Sequence, residues 1–458
     1  MNLESPWMPR MEPGPGTVSE RIAAAIALDI AKGVLKSGDR LPPHREASYA
    51  LGVSVGTVTR GYVEAARRGL LAGSHGKATF VTDIGESRPA PFVDLSLNVP
   101  PAAVTDRQLS AALSAISRRT GTSAELGKYD SNQGRAEHRA LFASWLSETR
   151  DLHVSPNRIS LCNGAQQALA MVFRMLRPQG GSALTEAATF PGALTLAERF
   201  GIHLVGLAMD DEGLCPLALE AQLMMGGKGT QRPLVFVTPT LQNPTARTMS
   251  AKRRTEVVRI CRKYDADIIE DDVYGALYGL PVPTLAELAP ERVFFISSFS
   301  KILSPGLRIG MLVCPEKFID EVSKEIRATT WCASPIACLV TSEYLVNGTA
   351  KAALKTLQLE ASLRKNIADK WLGAFIKTQL IPSFHVWLEM PDVASERLAR
   401  EALESGVRIT PPSACIVDPK LASGVRVCLG AAKDQGELEY SLKRLSELIG
   451  KNEVRTAV

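Results

Sequence analysis

Eight cysteines are present, but no two of them form a CxxC pair. Thiols scattered at 162, 215, 261, 314, 332, 338, 415 and 428 exclude a zinc ribbon and a disulfide framework. They fit a reducing compartment. The six histidines are equally dispersed, so no metal site is expected. No apolar run approaches the roughly 20 residues of a membrane span. The opening MNLESPWMPRMEPGPG lacks the apolar stretch of a secretory signal. A cytoplasmic protein with no membrane partner is expected. Neither sign of charge dominates, and a net charge of +5 over 458 residues permits nucleic-acid binding without arguing for it. No internal repeat or low-complexity tract stands out.

What is present is an ordinary globular composition, 45% apolar and 22% charged. The length implies two or three domains. Residues 1–16, rich in Pro, Met and Gly, read as a flexible N-terminus, and 17–83 as a compact unit. Residues 84–91 read as a Pro-containing linker, 92–450 as a large domain and 451–458 as a C-terminal tail. In the large domain, short apolar runs alternate with helix-like runs. RISLC precedes AQQALAMVFRML, PLVFVTP precedes RRTEVVRICRKY, and ADIIE and RVFFIS follow. That alternation predicts an α/β fold with a mostly parallel central sheet.

In the small unit, Ile22, Ala25, Ile26 and Ile30 share one helical face, and Gly33 closes that helix. HREASYALG predicts a short helix ending at Gly52. The next helix starts after Ser54, a fitting N-cap, and runs to Gly69. Helix, Gly-containing turn, helix is helix-turn-helix geometry, with the second helix available to a major groove. LLAGSHGKATFV reads as a two-stranded wing with Gly73–Gly76 at its tip. The words GDRLPPHRE, LGVSVGTV and RRGLLAGSHGKATFV resemble the winged helix-turn-helix domain of the GntR family. The resemblance implies contacts to double-stranded operator DNA from Arg45, Ser54, Thr57, Thr59, Arg60, His75 and Gly76. Guanidinium, hydroxyl and backbone N–H groups are the donors that phosphates need. Gly61 departs from the family pattern, which more often has a larger residue inside this helix. The plainer reading is a helical adaptor with a solvated charged surface. Useful specificity from so small a reading head implies a dimer on two half-sites.

Lys301 follows the strand-like RVFFIS directly. A buried ammonium is costly unless paired or chemically converted, and ligand sites in open α/β sheets lie at the carboxyl ends of strands. Other polar groups also follow predicted strands: Asn243 in LQNPT, Asp271 and Tyr274 in DDVY, Phe190 in AATFPG, and the turn NGAQQAL opening a helix. Lysine, acid, amide, phenol, aromatic face and helix N-terminus together suit pyridoxal 5'-phosphate. Ser298–Lys301 also fits the S-x-x-K serine-nucleophile pattern, but the S-D-N and K-T-G that must accompany it do not occur.

SFSKILSPGLRIG, QNPT and DDVY, in this chain across about 92–450, resemble the fold-type I aminotransferases of the aspartate aminotransferase type. The resemblance implies that Lys301 forms the Schiff base with the cofactor and that Asp271 pairs with the pyridinium nitrogen. It implies that Asn243 and Tyr274 bind the ring oxygen and that Phe190 stacks on the ring. Gly164, Ala165, Gln166, Ser298, Ser300 and Arg308 would hold the phosphate, with Tyr129 reaching the phosphate of a neighbouring subunit. Arg426, in GVRVCLG, would bind an effector carboxylate, a task its planar fork suits. Each residue also has a plainer reading: a solvated pair for Asp271 and Asp272, core for Phe190, a strand-edge arginine for Arg426. The order of the two halves resembles the MocR subfamily of GntR-type bacterial regulators. That implies a homodimer sensing an amine or amino-acid-like metabolite by external aldimine formation at Lys301. An active aminotransferase carrying a DNA-binding domain is the alternative, and a constitutive repressor with a structural cofactor is a third reading.

Overall fold

The computed structural model describes residues 7, 17–36, 38–67, 70–74, 78–81, 92–226, 231–279, 281–376 and 381–456. The chain divides into two compact units, Met1–Phe92 and Val93–Val458. The sequence expectations for the linker 84–91, for His75 and Gly76, and for the last two residues lie outside the described residues.

The first unit holds three helices, α1 (Val18–Ala31), α2 (His44–Leu51) and α3 (Val55–Arg67). Strands β1 (Leu71–Ser74) and β2 (Ala78–Val81) pair antiparallel as the wing. Gly73, expected at the wing's tip, sits inside β1 opposite Thr79. Thr17 and Glu20 form a reciprocal capping box on α1. Gly33 lies just beyond α1 at φ +71°, and Gly52 ends α2 in the left-handed region. Ser54 Oγ accepts from Thr57 N–H at 3.2 Å, the N-cap bond the sequence predicts. Ile22, Ile26, Val58, Tyr62 and Ala65 form the core. Trp7, within the stretch expected to be flexible, is buried there and donates to Asp29 Oδ2 at 2.7 Å. Gly61 has a packing reason: a Cβ there would sit 2.8 Å from Ile22 Cβ. Its absence lets α1 and α3 cross closely.

The second unit is built on a seven-stranded sheet. After the short β3 (Val93–Asp94) come β4 (Ile159–Cys162), β5 (Gly181–Glu186) and β6 (Ile202–Leu207). A small hairpin, β7 (Met209–Asp210) and β8 (Gly213–Leu214), precedes β9 (Leu234–Val237). β10 (Asp267–Asp271), β11 (Val293–Ser298) and β12 (Gly310–Val313) complete the set, in the spatial order β4-β12-β11-β10-β9-β5-β6. Only β12 runs antiparallel to its neighbours. β4, β9, β10, β11 and β12 are buried on both faces, so most of them read as apolar runs. Along β11, Val293 and Phe295 enter one hydrophobic layer while Phe294 and Ile296 enter the other, as period-two geometry requires. β13 (His385–Glu389) and β15 (Gly424–Cys428) pair antiparallel, with Trp387 opposite Arg426 and His385 opposite Cys428. β14 (Val407–Arg408) pairs with β3. β4, β5, β9, β10 and β11 end on one edge of the large sheet, and the loop from β11 back into β12 lies there too.

Candidate cofactor site and DNA-reading face

That loop carries Lys301 and Arg308. Lys301 lies in a short 3-10 turn, Phe299–Lys301, immediately after β11. Its ammonium contacts the carbonyl oxygen of Asn98 and stands 5.7 Å from the centre of the Tyr274 ring. Burial pushes its pKa down to about 8; the Arg426 and Arg308 charges act the same way, against Cys428 and Asp271. Asp271 closes β10 and is 6% exposed. Burial raises its carboxyl to about 7, opposed by the Val273 N–H it accepts at 3.3 Å.

Asn243 and Tyr274 meet. Asn243 Nδ2 donates to the Tyr274 oxygen at 3.5 Å, and Asn98 Nδ2 donates to the same oxygen at 3.0 Å. Both lone pairs are thus taken, and among the described residues no acceptor receives the phenolic proton. A buried phenol in this state is suited to donate to a ligand oxygen. Asn243 Oδ1 accepts from Arg426 Nη1 at 2.6 Å. Arg426 is 5% exposed, and Nη2 donates to Ser96 O at 2.7 Å and Thr410 Oγ1 at 3.0 Å. Its Nε is buried without a partner, and no carboxylate among the described residues neutralises it. A buried guanidinium satisfied only by neutral groups favours an incoming anion.

A second anion cradle lies at the N-terminus of the helix Ala165–Leu176. Gly164 stands at its cap with φ +88°, and a Cβ there would fall 2.5 Å from Arg308 Nη2. A Cβ on Gly310 would fall 2.9 Å from Ala165 N. Glycine at these positions lets guanidinium, helix end and β12 crowd together. Two positive ends facing one space is unfavourable unless an anion fills it. Gln166 donates to Gly192 O at 2.9 Å. Ser298 Oγ accepts the Ser300 N–H at 3.1 Å and lies 3.0 Å from both Ile309 O and the Ser300 hydroxyl, so it fastens the turn. Phe190 caps the helix Pro191–Arg199, half-buried. Tyr129 is 83% exposed, and its ring meets Trp331 at 5.0 Å. The chemistry of the set, two anion seats around an amine, an acid and a phenol, fits pyridoxal phosphate.

The stretch LSLNVPP, 95–101, reads in the sequence as part of the pocket without individual roles, and other partners carry no signal there. Ser96, Asn98, Thr410 and His385 come from segments remote in sequence from the residues they touch. Glu186, at the end of β5, accepts Thr238 N–H at 3.1 Å, and burial raises its carboxyl to about 7. Arg150 forms a buried two-pronged pair with Asp272, at 2.6 and 3.0 Å, behind the Asp271–Tyr274 turn. No motif signalled that pair, because the partners lie 122 residues apart.

In the first unit, Arg45, Ser54 and Arg60 are exposed and Thr57 half-buried. Thr59 is held internally: its hydroxyl lies 2.9 Å from Val55 O and 3.0 Å from His44 Nδ1. It joins α2 to α3, a use the sequence did not signal.

Residues 18–81 match the model of bacterial regulatory proteins of the gntR family, and residues 90–445 match aminotransferase class I and II. The chain is 25% identical over 462 residues to the uncharacterized HTH-type transcriptional regulator YdeF of Bacillus subtilis, covering 98% of each chain. It is 27% identical over 388 residues to the HTH-type pyridoxine biosynthesis transcriptional regulator PdxR of Corynebacterium glutamicum, covering 80% of this chain and 82% of that one. Among solved structures, an archaeal alanine:glyoxylate aminotransferase superposes with a TM-score of 0.73 at 23% identity, covering 86% of this chain and 95% of that one. LysN, the α-aminoadipate aminotransferase of Thermus thermophilus, superposes at 0.69 with 24% identity, covering 78% and 91%. The cofactor of the large unit is pyridoxal phosphate. The chain belongs to the aminotransferase class I and II family and carries a gntR-family module ahead of that domain, an architecture consistent with the MocR subfamily of bacterial regulators.

Proposed function

We propose that this pyridoxal phosphate-dependent regulator acts as a homodimer on operator DNA and senses a primary amine that also carries a carboxylate. The observation that carries the sensing reading is Arg426, a buried guanidinium with no counter-charge among the described residues, hydrogen-bonded to the Asn243 that also touches Tyr274. When bound, the cofactor would supply an aldehyde, a group that condenses with a primary amine and releases water. Lys301 Nζ is the chain's own amine at that aldehyde's place, and Arg426 would take the effector carboxylate. Asp271 would pair with the ring nitrogen, Asn243 and Tyr274 with the ring oxygen, and Phe190 would stack on the ring. Gly164, Ala165, Gln166, Ser300 and Arg308 hold the phosphate, and Ser298 keeps their turn in shape. Tyr129, exposed in one chain, serves the neighbouring subunit's phosphate. Arg45, Ser54, Thr57 and Arg60, with the wing residues His75 and Gly76, face DNA, while Thr59 braces the recognition helix.

An effector acts only through its differential affinity for the two arrangements of the protein. The experiment is a screen of amines and amino acids for a change in the cofactor's absorbance. A subset bearing a carboxylate is expected to respond, and Arg426→Ala to lose that preference. Sustained turnover of an amino acid with a keto acid at ordinary enzyme rates would overturn the sensor reading in favour of an enzyme.

A further inference from the structure

Tyr274 is reached by a chain of polar groups that starts at a backbone carbonyl. His385 Nε2 lies 3.0 Å from Gln242 O, and a carbonyl only accepts, so Nε2 carries the proton. Nδ1 is then the acceptor, and Asn98 Nδ2 donates to it at 3.1 Å. The same amide donates to the Tyr274 oxygen at 3.0 Å. Each link fixes the polarity of the next. The Tyr274 oxygen is kept as an acceptor, and its proton is left to point into the site. His385 is fully buried on β13, 5.5 Å from the Tyr274 ring centre. Burial holds it neutral, with a pKa near 3, so the polarity persists across the physiological range. The titratable groups around this chain are Lys301, Asp271, Arg426 and Cys428.

We propose that His385, acting through Asn98, is a positioning residue that orients the Tyr274 hydroxyl as a donor toward the cofactor's ring oxygen. This rests on the reading of Tyr274 as a cofactor ligand. β13 also pairs with the strand that bears Arg426, residue 387 opposite 426. The carboxylate reader and the phenol's orienter therefore share one two-stranded sheet.

The test uses the cofactor-loaded full chain and its spectral pH titration. A donor on the ring oxygen makes that oxygen less basic, so its loss moves the midpoint up. Tyr274→Phe is expected to raise it by about half a pH unit or more. His385→Gln, which keeps a donor for Gln242 O but loses the Nδ1 acceptor, is expected to raise it in part. His385→Asn, which can restore an acceptor for Asn98, is expected to stay near the native midpoint. Asn98→Ala breaks the same chain from its other side and is expected to match His385→Gln. In a Tyr274→Phe background, His385→Gln is expected to add nothing. A His385→Gln shift that persists in that background, or a native midpoint in both His385→Gln and Asn98→Ala, would overturn the positioning role. An unchanged midpoint in Tyr274→Phe itself would instead overturn the assignment of Tyr274 to the cofactor.

Discussion

At Lys301, burial holds the amine near pH 8, where an exposed lysine would stay charged. Only the unprotonated amine has a lone pair to offer an aldehyde. Capture of added pyridoxal phosphate by the cofactor-free protein is therefore expected to speed up about tenfold per pH unit below 8. It should level off above 8, which stopped-flow absorbance reads directly. A rate flat from pH 6 to 9 would contradict the buried amine. The same depressed pKa makes the cofactor-free fold lose stability as pH falls from the ordinary lysine range toward about 8. Lysine and its strand were legible in the sequence because the apolar run of β11 stops at a small polar stretch. The contact of its ammonium with Asn98 O and its proximity to Cys428 were not, since no local pattern records a pairing across so many residues.

Two glycines decide whether secondary elements keep their places. In α3, Gly61→Ala gains about 1 kcal/mol of helix propensity. Its methyl would meet Ile22 Cβ and Cγ2 at 2.8 Å and Ser19 O at 3.2 Å. Ile22 is fully buried and has nowhere to swing, so overpacking of about 1–3 kcal/mol wins. Faster amide hydrogen exchange in α1 and α3 is the expected result, and slower exchange would show that propensity prevails. Gly275→Ala drives a methyl into Asp272 Oδ2 and Arg150 Nε, well inside contact distance of both. Parting that buried pair is expected to destabilise the large unit by about 3–5 kcal/mol in urea unfolding. It should also weaken cofactor binding through the Asp271–Tyr274 turn. Most central strands were legible because burial on both faces writes an apolar run, and so were the motifs at their ends. Gly61 read as a departure from pattern because helix propensity is local, while its reason is the helix crossing it. The bonds of the Thr59 hydroxyl to Val55 O and His44 were not legible, because an exposed hydroxyl and an internally bonded one look alike in sequence.

For the whole molecule, the two units carry different chemistries, and regulation requires one to bias the other. Arg45 is exposed on α2. Arg45→Ala is expected to weaken DNA binding across sequences and to lower the slope of log affinity against log salt by about 1. An unchanged slope would remove Arg45 from the phosphate contacts. The central claim is that occupancy at Lys301 and Arg426 changes DNA binding. It is tested most directly by measuring affinity for a duplex selected from random sequence, while titrating an amino acid that alters the cofactor's absorbance. The account predicts that affinity and absorbance change with the same midpoint in the native protein, and that Lys301→Ala loses both responses. An absorbance change that leaves DNA affinity untouched, or an affinity change that survives in Lys301→Ala, would contradict it.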